Sequence, residues 1–279
     1  MDRKVAIAVG AHPDDVEFYM AGTLVLLRRA GFETHLWHLG SGSCGSRVHP
    51  TRRLKALRAA EAREAARILG AEYHGSIADD LEILYDLRLL RRAASILREV
   101  NPSVVLTHSV EDYMEDHTNA CRIAVTAAFA LGMPNFRTLP PRRAVGADVA
   151  VYHAMPHGLR DPLRRAVEPG AWVDTTGVFD VKLAALAAHK TQQEWLEESQ
   201  GMNSYLRAME EFSLELGRRS GRFRHAEGWR RRLHLGFSIE EKDPLAEALR
   251  ERYLVNLEYE RGLDGFGPPR ARGRRPKKR

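Results

Sequence analysis

The stretch Val5–Leu24, VAIAVGAHPDDVEFYMAGTL, decides the fold of this chain. It opens with small and β-branched residues and no polar break, a pattern typical of a strand buried on both faces of a parallel sheet. The apolar run ends at Gly10, and His12, Asp14 and Asp15 follow in the next loop. Because open α/β sheets bind ligands outside the carboxyl ends of their strands, we expect a polar site here. An imidazole and carboxylates are ordinary zinc ligands.

The same residues have a purely structural interpretation. Asp14 is followed three residues later by Glu17, which is the spacing of a capping box that opens a helix. A second polar loop, far along the chain, favours the functional interpretation.

That second loop follows the predicted strand Val104–Thr107 and carries His108 and His117. Right-handed crossovers place the carboxyl ends of parallel strands on one edge of the sheet, so the two loops can meet. His12, Asp15 and His117 would then supply two nitrogens and one oxygen and leave a position open for water, as in catalytic zinc sites. The same ligand set also suits Fe(II), which stays an alternative metal.

These motifs resemble the PIG-L/LmbE-like zinc deacetylases, which remove acetyl groups from N-acetylglucosamine conjugates. The family signature AHPDDxE appears as AHPDDVE and is followed by AGTL. The similarity continues through RAAEAREAARILG, PSVVLTH, Asp116-His117 and KLAALAAHKTQ. It therefore spans about Val5 to Gln192 and extends in part to HAEGW at His225.

The resemblance implies that His12, Asp15 and His117 bind zinc and that Asp14 is the general base. It also implies substrate-facing roles for Arg58 and Asp80, although the alignment at Asp80 could shift to Asp79. For Arg58 the structural alternative is a solvated pair with Glu61 on a charged helix face. His189 corresponds to a family histidine near the active site, sometimes contributed across a subunit boundary, while its run of alanines equally suits a core histidine.

The chain departs from the family at Met114, where the usual HPDH motif begins with histidine and this sequence reads MEDH. A thioether can neither stabilise an oxyanion nor protonate a leaving amine. Tyr113, His108 and His189 are candidate substitutes, and we expect His189 to take the role. His153 and His157 also fall near strand ends, without an anchoring motif.

The 279 residues predict one domain over residues 1–262 and a basic tail over 263–279. The alternating pattern predicts an α/β fold with a Rossmann-like, mostly parallel sheet, helices on both faces and extra C-terminal helices. Further strands are expected at Thr34–Leu39, near Tyr73, at Val149–Tyr152 and at Trp172–Thr175. Helices are expected at Thr51–Leu69, Asp86–Val100 and Ala120–Leu131, and from Val181 to about Leu216 with a break at Gly201.

The loop Gly40–Gly45 spells GSGSCG and formally satisfies the dinucleotide fingerprint GxGxxG. The predicted helix starts several residues too late, and the strand near Tyr73 ends without a ribose-binding acid, so a mobile loop beside the active site is the preferred interpretation. Cys44 in this loop has no base assigned to it by sequence.

The net charge of +6 comes from the end of the chain. RARGRRPKKR at Arg270–Arg279 carries seven positive charges, so the rest sums to −1. Such a tail predicts a disordered segment and leaves weak, non-specific nucleic-acid contact open. No apolar run is long enough to span a bilayer, no signal-peptide pattern leads the chain, and two cysteines make no disulfide framework. We therefore expect a cytoplasmic protein.

The sequence thus predicts a zinc-dependent hydrolase that removes the acetyl group from a small N-acetylglucosamine-type conjugate. Two alternatives remain open. One is a metal-binding member with weak or no deacetylase activity because of Met114, and the other is an amidase for a different N-acyl substrate. The sequence also leaves open whether the chain forms a homo-oligomer.

Overall fold

The computed structural model describes residues 4–146, 148–200 and 205–263 and contains one mixed sheet with helices on both faces. The strands are β1 Val5–Gly10, β2 Glu33–His38, β3 Glu72–His74, β4 Val104–Thr107, β5 Ala150–Ala154, β6 Ala171–Asp174, β7 Ala226–Arg231 and β8 Tyr253–Val255. The helices are α1 Asp15–Tyr19, α2 Ala21–Arg29, α3 Thr51–Leu69, α4 Leu87–Val100, α5 Glu115–Phe129, α6 Phe179–Leu186, α7 Lys190–Gln200, α8 Tyr205–Ser220, α9 Pro244–Leu249 and α10 Leu257–Leu263.

The sheet has the strand order β3-β2-β1-β4-β5-β7-β6-β8. Strands β1 to β5 pair in parallel, and β7, β6 and β8 continue the sheet in antiparallel fashion. The predicted Rossmann-like, mostly parallel architecture is confirmed. The order reverses at β1, which pairs with β2 on one side and β4 on the other, and such a switch point is where ligands bind in open α/β sheets.

Strand β1 lies at the centre of the sheet, and all six of its residues are buried. Successive side chains point to opposite faces. Ala6 and Ala8 belong to the core formed with α2 and α3, while Val5, Ile7 and Val9 belong to the core formed with α4 and α5. This double burial explains the uninterrupted apolar run in the sequence.

Two helical predictions need correction. Helix α5 begins at Glu115 rather than Ala120, so Asp116 and His117 lie in its first turn and not in a loop. Acidic residues at a helix amino terminus interact favourably with its dipole, which accounts for the earlier start. The helical region predicted from Val181 to about Leu216 has a break over 187–189, between α6 and α7, that the sequence pattern did not indicate. The predicted break at Gly201 and the basic tail Arg270–Arg279 lie outside the described residues.

A buried ion pair joins α2 to the antiparallel strands. The Glu227 carboxylate on β7 accepts hydrogen bonds from the backbone N–H groups of Gly22 and Thr23, each at 2.8 Å, and from Lys182 Nζ at 2.6 Å. The Lys182 and Glu227 side chains are only 1% and 2% exposed. A Cβ at Gly22 would lie 2.5 Å from Thr175 Cγ2, so glycine permits this close approach. The motif residues in AGTL, KLAAL and HAEGW therefore meet in a structural contact.

Among the described residues, no helix combines the length and apolar character needed to cross a membrane.

Candidate metal centre

The carboxyl ends of β1 and β4 bring the two polar loops together. These strands are neighbours, with Val9 paired to Thr107, so the chain leaves the sheet at the same edge after both. The Ala11 backbone N–H donates to His108 Nε2 at 2.9 Å and fastens one loop to the other. The first turn of α5 then lies beside the His12–Asp15 segment.

His12, Asp15 and His117 form a compact group of metal-type donors. Each offers one ligand atom, and these atoms all lie within 4.8 Å of one another. His117 Nε2 is 3.3 Å from Asp15 Oδ1, and His12 Nδ1 is 3.6 Å from Asp15 Oδ2. Two imidazole nitrogens and one carboxylate oxygen at this spacing fit a zinc-type ion with further positions open. The structure therefore brings together the three residues predicted as ligands.

Each histidine of this group has a carboxylate on its other ring nitrogen. Asp112 Oδ1 lies 3.0 Å from His117 Nδ1, and Asp116 Oδ2 lies 2.9 Å from His12 Nε2. Such outer carboxylates fix the orientation and tautomer of metal-binding imidazoles. Asp112 and Asp116 were not among the predicted site residues, although both stand in the second polar loop of the sequence.

A second donor group in the same place consists of His108, Asp112 and His117. The rings of His108 and His117 are stacked with centroids 4.2 Å apart. However, the Ala11 N–H already occupies the lone pair of His108 Nε2, and Asp112 engages His117 Nδ1. The His12, Asp15 and His117 group is therefore the better candidate for an ion.

The electrostatics of the two neighbouring aspartates differ. Burial raises the pKa of Asp14 to about 6, and the adjacent Asp15 carboxylate adds to this shift. Burial also acts to raise the pKa of Asp15, but His117 and His108 outweigh it, so the pKa lies well below its ordinary value. Asp15 is thus stabilised as the charged form that a metal requires.

Asp14 has an unusual backbone conformation and does not cap α1. Its φ is 122°, and its side chain accepts no hydrogen bond from the helix terminus. A non-glycine residue in such a region costs about 1–3 kcal/mol and is found mainly at functional sites. The Asp14 Oδ2 instead accepts a hydrogen bond from the Tyr205 hydroxyl at 2.5 Å. The capping-box interpretation is therefore wrong for Asp14.

A cavity of about 250 Å³ opens onto the donor group. Its lining includes Asp14 and the ligand group together with Tyr113 and Met114 from the second loop. The remaining lining residues are Phe18, Tyr19, His157, Gln192, Trp195, Leu196, Tyr205 and Ala208. Tyr113, predicted to contact substrate, is therefore at the cavity, whereas Arg58, Asp80 and His189 are not part of its lining.

Arg58 and Asp80 fasten the GSGSCG loop instead. Asp80 accepts hydrogen bonds from the backbone N–H groups of Gly42 and Cys44, and the buried Arg58 donates to the Gly45 carbonyl oxygen at 2.9 Å. Gly42 has a φ of +73°, and a Cβ there would lie 2.1 Å from Arg58 Cδ. Both residues therefore fix the conformation of the loop. Helix α3 begins only at Thr51, several residues after Gly45, which is too late for a dinucleotide-binding motif.

His189 lies behind the cavity in a fully buried chain of three side chains. Its Nε2 is 2.9 Å from Glu17 Oε1, and His38 Nε2 is 3.0 Å from Glu17 Oε2. Burial acts to lower the pKa of His189, but Glu17 raises it above the ordinary value. The resulting positive charge acts to lower the pKa of Asp14. His189 is thus placed to influence Asp14 through charge.

Two cavity residues were missed or left unassigned by sequence reasoning. Tyr205 contacts Asp14 from α8, and no local pattern indicates this pairing. His157 stands on a short 3₁₀ turn after β5, with its ring centroid 5.7 Å from Phe18, 6.1 Å from Tyr113 and 6.3 Å from Phe212.

The chain is similar to enzymes of two reaction types. It is 30% identical to the 4-oxalmesaconate hydratase of Pseudomonas putida over 70% of this chain and 76% of that protein. It is 27% identical to the diacetylchitobiose deacetylase of Thermococcus kodakarensis over 82% of this chain and 83% of the relative.

Solved structures share the fold. The 4-carboxy-2-hydroxymuconate hydratase of Pseudomonas putida matches with a TM-score of 0.67 and 28% identity, over 82% of this chain and 96% of that one. The N,N'-diacetylchitobiose deacetylase of Pyrococcus horikoshii matches with a TM-score of 0.68 and 22% identity, over 88% of this chain and 89% of that one.

The resemblance carried by AHPDDVE is confirmed by the sequence model of the GlcNAc-PI de-N-acetylase (PIG-L) family, which matches residues 7–129. These residues contain all three proposed metal ligands and Asp14. The match to the hydratase covers 70% of this chain and extends beyond residues 7–129. Together, the two matches show that the chain belongs to the PIG-L family.

Proposed function

We propose that this protein is a metal-dependent hydrolase that removes the acetyl group from an amino-sugar conjugate. The observation that carries the proposal is the His12, Asp15 and His117 donor group at the floor of a cavity that Asp14 also lines. The family model and the chitobiose deacetylase relative support acetyl transfer to water as the reaction.

The ligand residues fit a zinc ion. Asp112 and Asp116 hold the histidine rings so that His12 Nδ1 and His117 Nε2 face Asp15. When bound, an ion of this class polarises a carbonyl group and lowers the pKa of water from 15.7 towards about 7. Fe(II) accepts the same ligands and remains the alternative metal.

We assign the general base to Asp14. The Tyr205 hydroxyl occupies Oδ2, so Oδ1 is the oxygen that takes the proton of the attacking water and then returns it to the departing amine. The strained backbone aims the side chain into the cavity instead of towards the α1 terminus. Tyr205 is a positioning residue in this scheme, because it orients the carboxylate without contacting the reacting atoms.

His157 can supply what Met114 lacks. Both side chains line the cavity, and the thioether of Met114 has no proton to donate. His157 is an exposed residue whose imidazole lies against the rings of Phe18 and Phe212, and this partial shielding from water lowers its pKa. We propose that it donates a hydrogen bond to the oxygen of the acetyl carbonyl as negative charge develops there. In this proposal His157 takes the oxyanion role that the sequence suggested for His189, because His189 is hydrogen-bonded to Glu17.

His157→Gln is expected to lower turnover about 10² to 10³-fold, because loss of one oxyanion donor has this cost. The measurement is the initial rate of amine release, with metal content and thermal unfolding checked. His234→Gln, at a half-buried histidine outside the cavity lining, is the matched control and should leave the rate unchanged. Met114→His should recover part of the loss in the His157→Gln background. Full turnover by His157→Gln would show that His157 is not the donor.

A second candidate function is the addition of water to a carbon–carbon double bond conjugated with a carbonyl group. The hydratase relative and the absence of a histidine at Met114 favour it. A base that takes a proton from water serves this reaction equally. No amine departs in a hydration, so no group has to protonate one.

A substrate panel separates the two functions. Metal-loaded protein is incubated with N-acetylglucosamine derivatives that are free, phosphorylated, thiol-linked or lipid-linked, and with unsaturated hydroxy-tricarboxylates. Amine release in the first set supports the deacetylase proposal. Loss of the conjugated chromophore in the second set, without amine release, would replace it with hydration. Metal-loaded protein that acts on neither set would favour the non-catalytic alternative or a different amide.

A further inference from the structure

A second group of metal-type side chains lies at the edge of the sheet, away from the candidate metal centre. Glu33 and His35 are on β2, and Glu72 and His74 are on the edge strand β3. The register pairs His35 with Glu72, and residues two apart share a face of a strand, so all four side chains lie on the same face. The group stands at the amino end of β2, whereas the proposed catalytic site lies beyond the carboxyl end of β1.

The distances within this group suit one small cation. His35 Nδ1 is 3.0 Å from His74 Nε2 and 3.8 Å from Glu72 Oε2. Ligand atoms of Glu33, His35 and Glu72 all lie within 4.8 Å of one another. A tetrahedral zinc ion with bonds of 2.0–2.1 Å needs neighbouring donors about 3.4 Å apart, which falls between the two observed distances.

The other ring nitrogen of His35 has its own carboxylate. His35 Nε2 donates to Glu33 Oε1, with the two atoms 3.1 Å apart. This is the arrangement that orients metal-binding imidazoles, and it leaves Nδ1 unprotonated, so that Nδ1 accepts a hydrogen bond from His74 Nε2 that a bound ion would replace. It repeats the pairing of His117 with Asp112 in the candidate metal centre.

Exposure and charge also suit a site that fills from solvent. The His35 side chain is only 4% exposed, so its ring position is fixed by packing, while Glu72 is 67% exposed and free to adjust. The Glu33 and Glu72 carboxylates place negative charge beside the two imidazoles.

We propose that His35, His74 and Glu72 form a second site for a divalent transition metal such as zinc, with Glu33 as the orienting carboxylate. The bound ion would join the three-residue edge strand β3 to β2. Its role is structural, because none of these four residues lines the cavity of the candidate metal centre.

Zinc stoichiometry tests the proposal. Metal-free protein is dialysed against buffered free zinc, and bound zinc is measured by elemental analysis. Wild type should bind about two ions per chain, and both His12→Ala and the double variant Glu72→Gln/His74→Gln about one. Glu82→Gln/His49→Gln, which changes the same residue types outside this group, should still bind two. The same zinc content in wild type and in the Glu72→Gln/His74→Gln variant, or no zinc on His12→Ala, would overturn the second site, whereas zinc on wild type that His12→Ala does not reduce would count against the candidate metal centre.

The His12→Ala background isolates the edge site and guards against a variant that fails to fold. Zinc should raise its unfolding temperature, and adding Glu33→Gln should weaken zinc binding about 10 to 100-fold, since outer carboxylates have this effect. Glu33 is 58% exposed, so its substitution leaves the core intact. Unchanged zinc affinity in that variant would contradict the assigned geometry, whatever the outcome for catalysis.

Discussion

Asp14→Asn is expected to retain the bound metal and to lose about 10² to 10⁴-fold in turnover, the usual contribution of a positioned general base. Asparagine keeps the shape of the side chain and still accepts the Tyr205 hydrogen bond, but it cannot take a proton from water. The measurement pairs the rate of product formation with elemental analysis of the same sample.

Asp15→Ala is the matched comparison one residue along the chain. Its carboxylate lies between the two histidine ligands, so this variant should lose the metal together with activity. Asp14→Asn should therefore lose turnover but keep metal, whereas Asp15→Ala should lose both. Full turnover by Asp14→Asn, or stoichiometric metal on Asp15→Ala, would refute the respective assignment.

Glu227→Ala is expected to destabilise the protein by about 3–5 kcal/mol, the usual cost of breaking a buried ion pair by removing one partner. The substitution leaves Lys182 as a buried charge without its counter-ion and removes the acceptor of the Gly22 and Thr23 N–H groups. Lys182→Met should lower the free energy of unfolding by less, because Glu227 would keep its hydrogen bonds from the Gly22 and Thr23 N–H groups.

Urea unfolding followed by circular dichroism measures these differences. Glu211→Ala is the control, because it removes the same side chain from an exposed pair with Arg207, where a loss of about 0.2–1 kcal/mol is typical. A similar small shift for Glu227→Ala would show that the buried contact does not hold α2 to β7.

Membership of the PIG-L family constrains this protein's chemistry less than it constrains its fold. The relatives at 30% and 27% identity are a hydratase and a deacetylase, so one scaffold serves both reactions. What the two reactions share is a water molecule that loses a proton as it attacks the substrate. The two reactions differ in the departing amine, which only amide hydrolysis has to protonate and which the Met114 thioether cannot protonate.

Local patterns determined much of the framework. Helix α3 was predicted with the observed bounds, Thr51–Leu69, because it is rich in strong helix formers, follows Pro50 and ends at Gly70 in the left-handed conformation. The apolar run at Val5 predicted the central strand, since only a strand buried on both faces lacks polar alternation. The three residues of the donor group were also available from sequence, because they stand beside strand ends that a parallel sheet places on one edge.

The tertiary structure alone decided which partners these residues have. Asp14 meets Tyr205 across 191 positions of sequence, and Glu227 meets Gly22 across 205. His189, expected at the cavity, is hydrogen-bonded to Glu17 instead. His157 lines the cavity, although no sequence motif indicates this position. Such contacts follow from how helices and loops pack over the sheet. Packing is a property of distant segments acting together, and no local periodicity or spacing encodes it.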